Sequence, residues 1–447
     1  MKRLSLAQQM CEWGSVGEWR EQVRSVIAKG EEGKLAPFLA LSIPGITANE
    51  HRRCSELWMK QRIDASASPF TFALQAKPKI RVGYLSCDFH EHATALLIAE
   101  MLEAHDRQRF DVLAYSYGAS DGKAMRRRLE CTFDRFIDIE ALSTAEAAAT
   151  IHGDQVDILI DLKGYTAATR TAILTYRPAP IQVNYLGYPG TLGGDFCDYL
   201  ITDRFLTPPE TAADYSEAFA YLPGTYQPHG RHCPVGARPT RLEAGLPEDG
   251  FVFCSFTQTY KITPEIFDLW CRLLIDVPGS VLWLLRDPLA EGNLRREAFQ
   301  RGITAERIIF ADDMAQVDHL GRLQLADLVL DTLPYNAHTT ASDALWVEVP
   351  ILTCAGDTFP SRVAGSVLRA IDMEELIVAD LDEYYQLALD LATDQERFNG
   401  VKARLAANRL TTPLFDVASY TRHIEALYEA MWLGYLRGEK PGMVGQG

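Results

Sequence analysis

The residues best placed for chemistry follow short apolar runs. In Leu330-Asp-Thr-Leu-Pro-Tyr-Asn-Ala-His-Thr-Thr-Ala-Ser-Asp-Ala-Leu-Trp346 an apolar run over 326–331 ends in a polar turn, and helical periodicity begins near His338. A strand that feeds a helix through a short turn sets the helix's first N–H groups at the carboxyl edge of a parallel sheet, where α/β folds bind anions. Thr339 and Thr340 add hydroxyl donors there. Asp343, one turn on, is placed to accept hydrogen bonds from a ribose. The pattern suits a nucleotide with phosphates; it also suits an ordinary Thr-capped helix.

Further clusters follow other apolar runs. Thr257-Gln-Thr-Tyr-Lys261 comes after the run 251–256, and Lys261 there can set an ammonium beside a diphosphate, although a solvated surface lysine has the same look. Asp312 to Arg322 follows 308–310. Within it His319 and Arg322 are three apart on one helical face, and an imidazole beside a guanidinium suits the edge of a base; a solvent-facing pair is the plain alternative. Asp88-Phe-His-Glu-His92 follows 80–86. His92 falls at a helix start, which disfavours the imidazolium, so it reads as a neutral proton acceptor or as a capping histidine. Asp88 and Asp161 end strands and can orient imidazoles or hydroxyls. Gly187-Tyr-Pro-Gly-Thr191 is a tight turn able to bring backbone N–H groups near a ligand.

The elements that carry these residues alternate. After Lys77, strands are expected at 80–86, 110–117, 133–137, 156–161, 181–186 and 199–202, with helices at 93–102, 124–129 and 144–152. Alternation resumes with strands at 251–256, 281–285, 308–310, 328–331, 351–353 and 377–378. Helices fall between them, one opened by Thr263 and Pro264 as N-cap and first turn. Such spacing indicates parallel sheets covered on both faces. The Pro-, Gly-, His- and Arg-rich stretch 223–247 breaks the pattern and places a linker at 229–248. The expected organisation is a helical cap at 1–75, a Rossmann-like domain at 76–228 and a second at 249–447 that ends in helices over 382–408 and 415–437. Two doubly wound domains of this kind are expected to leave a cleft for a two-substrate transfer.

Composition narrows the function. The 447 residues carry a formal net charge of −16, which argues against nucleic acid as a partner and makes any phosphate contact local. Nine cysteines without C-x-x-C or Cys/His ligand spacing suggest reduced thiols in a cytoplasmic protein and no structural zinc. No run approaches the ~18 apolar residues of a membrane span, and the N-terminus lacks the apolar core of a signal peptide. Neither G-x-G-x-x-G after the first strand nor G-x-x-x-x-G-K-[ST] occurs, so simple dehydrogenase and P-loop readings lose support. Asp380-Leu-Asp382 precedes a helix and reads as a cap rather than a metal site.

Taken together, these residues resemble the catalytic region of the O-linked N-acetylglucosamine transferases, the family that includes the plant SPINDLY proteins. The matching segments are Arg81-Val-Gly-Tyr-Leu-Ser-Cys-Asp-Phe-His-Glu-His92, Gly164-Tyr-Thr166, Arg177-Pro-Ala-Pro-Ile-Gln182, Leu186-Gly-Tyr-Pro-Gly-Thr191, Gln258-Thr-Tyr-Lys261, Ser280-Val-Leu-Trp-Leu-Leu-Arg286, Gln324-Leu-Ala-Asp327, His338-Thr-Thr340 and Pro413-Leu-Phe415. They run in family order from about residue 80 to the C-terminus. The resemblance implies a GT-B fold and an inverting transfer from a UDP-sugar to a polypeptide, with no metal and no cofactor beyond the donor. By position, His92 matches the histidine proposed as catalytic, and Gln258 and Lys261 match diphosphate contacts. His319, Leu320, Gly321 and Arg322 match the uracil-binding turn, with Met314, Ala315 and Gln316 against base and ribose. His338, Thr339 and Thr340 match the phosphate-binding helix start, and Asp343 the ribose contact.

The chain departs from the family in places. The tetratricopeptide repeat array is missing, and the insert that some members carry between the catalytic domains is reduced to a short linker. Gln316 stands where animal enzymes have a lysine. Tyr335 stands where they have a smaller residue near the sugar's N-acetyl group, which opens the choice of sugar. The expectation is GlcNAc transfer from UDP-GlcNAc to Ser or Thr, with His92 as base or acceptor-orienting group and Lys261 stabilising the leaving group. The alternatives are UDP-glucose-dependent transfer to Asn, a UDP-sugar-binding protein without turnover, and a sugar-nucleotide epimerase of the same fold class.

Overall fold

The computed structural model describes residues 2–63 and 70–445; residues 64–69 of the expected helical cap lie outside the described residues. Two compact units emerge. One holds Val23–Ala40, Thr47–His232 and Pro413–Gly447, and the other Met1–Gln22, Leu41–Ile46 and Cys233–Thr412. They are termed the first and second units below.

Among the described residues, the first unit contains β1 (Ile80–Ser86), β2 (Phe110–Ser116), β3 (Arg135–Asp138), β4 (Ile158–Asp161), β5 (Ile181–Asn184), β6 (Tyr199–Thr202) and β7 (Ala218–Tyr221). They form one sheet in the order β3-β2-β1-β4-β5-β6-β7. The second unit contains β8 (Val252–Ser255), β9 (Val281–Leu285), β10 (Ile308–Ala311), β11 (Leu328–Leu330), β12 (Ile351–Cys354) and β13 (Ile377–Val378), ordered β10-β9-β8-β11-β12-β13. Every pairing is parallel. Apart from the edge strand β3, whose residues are exposed or half-buried, the strands are mostly buried runs of Val, Ile, Leu and aromatic residues, as expected of sheets covered on both faces. Counted within its own unit, each sheet begins 3-2-1-4-5, so the chain reverses direction across the sheet between β1 and β4 and again between β8 and β11. Ligands of doubly wound sheets bind at the carboxyl ends beside that reversal.

Local signals set the helix starts. Thr263 caps Pro264–Asp276 by accepting from the Ile266 N–H. Thr47 and Glu50 form a reciprocal capping box, as do Ser143 and Glu146. Asp380 accepts from the N–H groups of Asp382 and Glu383, so Asp380-Leu-Asp382 is a cap. Asp394 ends one helix and caps the next, splitting 382–408 into Leu381–Thr393 and Gln395–Asn408.

The terminal helices distribute differently from the sequence-based boundaries. Lys2–Gln9 belongs to the second unit. Trp13 packs on Phe267 with ring centroids 5.3 Å apart, the Thr259 hydroxyl donates to the Gln9 carbonyl at 2.7 Å, and Asn293 donates to the Met10 carbonyl at 2.7 Å. Ala48–Lys60 belongs to the first unit, where Arg52 donates to the Ala213 and Tyr215 carbonyls. The last helix, Val417–Leu436, also packs in the first unit. A buried polar chain holds it there: Glu425 accepts from His105 at 2.9 Å, His105 meets the Tyr84 hydroxyl at 2.9 Å, and Tyr84 meets Tyr428 at 3.0 Å. Apart from Tyr84 and His105, these partners are far apart in sequence, as Tyr84 and Tyr428 are at 344 residues, so periodicity alone does not assign the helices to a unit. No described helix is long and apolar enough to cross a membrane.

Candidate functional site

In the second unit a recess opens where β8 and β11 end. It is lined by Ser255, Phe256 and Thr257 from the end of β8 and by Leu330, Asp331 and Ala337 from the end of β11 and its loop. His319, Thr340 and Asp343 complete it on the helix side. This is the reversal point of the sheet, and three of the predicted site residues meet there.

Lys261 closes the short 3-10 turn Thr259–Lys261 after β8. Its ammonium is buried. Nζ donates to the Asn336 carbonyl at 2.9 Å and sits 3.9 Å from the centroid of the Tyr335 ring. Burial lowers its pKa to about 8, against the opposing pull of the Asp331 carboxylate. The surface-lysine reading therefore fails: a cation is held in a largely dehydrated place, where it acts more strongly on an anion than it would in water.

Asp331 organises the loop that faces this lysine. One carboxylate oxygen accepts from the Thr332 and Ala337 N–H groups at 2.7 and 2.6 Å, and the other accepts from the Thr353 hydroxyl at 2.6 Å. Thr332 donates to the Tyr335 carbonyl, and the Asn336 amide donates to the Thr332 carbonyl. Burial raises the Asp331 pKa, and these hydrogen bonds with the Lys261 charge oppose it. The loop delivers the chain to His338, which occupies the N-cap of Thr339–Trp346 without a side-chain capping bond. The Thr-capped reading of this helix is thus not what forms. Burial and the nearby Lys261 charge push the His338 pKa well down, so its imidazole is neutral.

On the opposite side of the recess, Gln316 begins the helix Gln316–Leu323 and donates to the Asp343 carboxylate at 3.0 Å. Asp343 is buried. Arg322, also buried, donates to Nδ1 of His319 at 3.0 Å and to the Asp312 carbonyl at 2.5 Å; its guanidinium lies 5.0 Å from the Phe256 ring centroid. The pair is not solvent-facing as the plain alternative had it. Because Nδ1 of His319 accepts, its neutral ring carries the proton on Nε2, and burial followed by the Arg322 charge lowers its pKa. Met314, Ala315 and Gln258 are exposed. Leu320 and Gly321 are buried and do not line the recess. A Cβ on Gly321 would press on the carbonyls of Gly236 and Ala237, so glycine permits the linker backbone to cross this helix.

In the first unit the polar cluster again stands at the reversal point, where β1 and β4 end. His92 caps Ala93–Ala104, its Nδ1 accepting from the Thr94 N–H at 3.2 Å. The nearest carboxylate oxygen, Oδ2 of Asp88, is 3.5 Å from Nδ1 and accepts from the buried Lys163 ammonium at 2.7 Å. Asp161 accepts from the Lys163 and Gly164 N–H groups and from the Thr171 hydroxyl. Asp88 is therefore committed to a lysine and Asp161 to its own loop. At Gly187, in the predicted tight turn, a Cβ would collide with the Leu162 carbonyl, which is why that turn takes glycine.

Sequence reasoning did not single out Asp331, Asn336, Phe256 or Lys163 as site residues. Asp331 directly follows β11 and Lys163 comes two residues after β4, and that signal was available. The Asn336 carbonyl is a backbone partner that no residue type announces.

Two parallel sheets of Rossmann type, each with its polar cluster at the carboxyl ends of the strands, are the two halves of a GT-B fold. The chain belongs to glycosyl transferase family 41, whose model matches residues 46–235 and 236–424. It is 38% identical over 371 residues to the probable UDP-N-acetylglucosamine–peptide N-acetylglucosaminyltransferase SEC of Arabidopsis thaliana, covering 81% of this chain and 38% of that protein. It is 31% identical over 481 residues to the UDP-N-acetylglucosamine–peptide N-acetylglucosaminyltransferase of Caenorhabditis elegans, covering 82% and 42%. The chain thus spans about two fifths of the length of these relatives. Among solved structures, a mutant O-GlcNAc transferase of Thermobaculum terrenum superposes with a TM-score of 0.81 at 29% identity, covering 90% of this chain and 77% of that one.

Proposed function

We propose that this protein moves a sugar from a UDP-sugar, in the simplest case UDP-GlcNAc, to a Ser or Thr hydroxyl of a polypeptide, with inversion and without a metal. The observation that carries the reading is the buried Lys261 ammonium beside a helix start where the N-cap His338 side chain makes no capping bond. In transfer, the acceptor oxygen forms a bond to the anomeric carbon as the bond to the diphosphate breaks, and two negative charges on UDP need neutralising. Lys261 and the amides at His338–Thr340 supply positive potential for that purpose in a site shielded from water. Asp343 receives the ribose, and His319 with Arg322 the base. Gln258, Met314, Ala315 and Gln316 complete the donor contacts implied by family position. His92 serves the acceptor. The peptide transferases of Arabidopsis thaliana and Caenorhabditis elegans, by name, use the same donor class.

A second donor is favoured by one residue. The Tyr335 ring is buried between Lys261 and His338, 4.9 Å from the His338 ring centroid. If it narrows the space for an acetamide, UDP-glucose and an Asn acceptor become the better pair. Mass spectrometry of a peptide library containing Ser, Thr and Asn sites, incubated with equal UDP-GlcNAc and UDP-glucose, separates the two. A HexNAc adduct on Ser or Thr, absent with Lys261→Ala, supports the first reading. A hexose on Asn replaces it with the second. Neither adduct, with UDP still bound, leaves a binding protein.

A further inference from the structure

We infer that His92 acts in the transfer as a hydrogen-bond donor through Nε2–H, and not as the base that removes the acceptor's proton. This deepens the proposed function and rests on its assignment of His92 to the acceptor. The Thr94 N–H points at Nδ1 of His92, and a ring nitrogen that accepts a hydrogen bond carries its lone pair there. The proton of the neutral ring is then on Nε2.

The neighbouring groups agree. Among the described residues the carboxylate paired with Nδ1 is Asp88, and the distance of 3.5 Å is longer than a hydrogen bond. Oδ2 of Asp88 is already held by the Lys163 ammonium, which is itself buried. Asp88 is therefore poorly placed to draw a proton onto Nδ1 and form the Asp–His pair that makes an imidazole basic at Nε2. Partial burial, with Lys163 and His90 facing the same ring, lowers the His92 pKa, and Asp88 opposes them. To serve as a base at Nε2, the ring would first have to move its proton to Nδ1, which breaks the bond that caps Ala93–Ala104.

A neutral imidazole at a helix start is a fixed donor, aimed by the amide behind it. It can hold an acceptor oxygen in place without changing charge. Proton balance does not require His92 to store a proton: as the acceptor O–H breaks and the new C–O bond forms, the diphosphate leaves with the sugar's bonding electron pair, and the released proton ends on UDP or in water.

Two substitutions separate the roles. His92→Gln sets an amide nitrogen near the former Nε2 position. His92→Asn, with its shorter side chain, sets the amide near the former Nδ1 position and keeps an oxygen for the helix cap. If His92 donates, H92Q loses no more than about tenfold in transfer while H92N loses about 100-fold or more. H92N should still bind UDP as wild type does, which shows that the fold is kept. If H92Q is as inactive as H92N, or if both are as active as wild type, the donor role is wrong. A second measurement needs no activity: long-range proton–nitrogen NMR of the full chain labelled with 15N-histidine. The expected His92 pattern at neutral pH is Nε2–H; an Nδ1–H pattern overturns the inference. Failure of the functional reading looks different, because wild type would then modify no peptide while the tautomer stays as stated.

Discussion

Replacing Lys261 by methionine should weaken UDP binding roughly 10- to 100-fold while leaving the protein about as stable as before. Methionine keeps the length of the side chain and removes the charge. In the wild type, burial lowers the lysine pKa from 10.5 to about 8. At about 1.4 kcal/mol per pH unit, that is on the order of 3–4 kcal/mol of folding free energy lost to holding the ammonium charged at neutral pH. The sign follows from linkage: between about 8 and 10.5 the unfolded chain binds the extra proton, so the penalty is fully present below pH 8 and fades as pH rises through that window. Lys261→Met removes the penalty. Against this, the Asn336 carbonyl loses its donor, at about 1–3 kcal/mol, and the Tyr335 ring loses its cation, at about 1–2 kcal/mol. The terms nearly cancel, and the expected change in Tm is within a few degrees. For UDP nothing cancels. A lost charge-assisted contact of about 1.5–3 kcal/mol weakens binding roughly 10- to 100-fold, and transfer falls by about 10²–10³. Calorimetric titration of UDP and of uridine, beside thermal unfolding, reads all of this at once. Uridine affinity should not change. The reasoning fails if UDP binds Lys261→Met as tightly as wild type, or if the variant unfolds more than about ten degrees early.

Further outcomes follow from the same geometry. UDP affinity should fall as pH rises above about 8, where Lys261 loses its proton, and the dependence should vanish in Lys261→Met; titrations between pH 6.5 and 9.5 at constant salt test it, at roughly a tenfold change in the charged-to-neutral ratio per pH unit. Asp343→Ala leaves Gln316 without its acceptor and removes the proposed ribose contact. UDP and uridine should both weaken by about tenfold, unlike the selective loss in Lys261→Met. Thr259→Val keeps the shape of the Lys261 turn but deletes the hydroxyl bond to the Gln9 carbonyl. It should lower stability by about 1–2 kcal/mol in thermal unfolding and weaken UDP several-fold, because the N-terminal helix is anchored to that turn.

The parts of the fold legible in the sequence were those set by local physics. The strands Ile80–Ser86, Tyr199–Thr202, Val281–Leu285 and Ile377–Val378 fall at the expected residues, because buried parallel strands are short apolar runs bounded by polar turns. Thr263 and Pro264 mark a helix start without ambiguity. The strand Ala218–Tyr221 was missed: Ala-Phe-Ala-Tyr has no β-branched residue and stands next to the irregular linker. The split at Asp394 was hidden because apolar periodicity continues through it. At the site, the sequence placed Lys261 and the His338 turn past neighbouring strands, but the partner carbonyl of Lys261 is 75 residues away. A residue list also does not reveal that Nδ1 of His92 is occupied by the Thr94 amide. Which unit receives the terminal helices was equally illegible, since Tyr84 and Tyr428 meet across 344 residues.

The most direct measurement counts products. The protein is incubated with a UDP-sugar, with and without the polypeptide library, and released UDP is quantified against glycosylated peptide. The expected result is UDP formed only when peptide is present, in equal amount to glycopeptide, and almost none with Lys261→Met. Conversion of the donor to another sugar nucleotide without peptide, or tight UDP binding with no glycopeptide, would contradict the assignment of this chain as a protein glycosyltransferase.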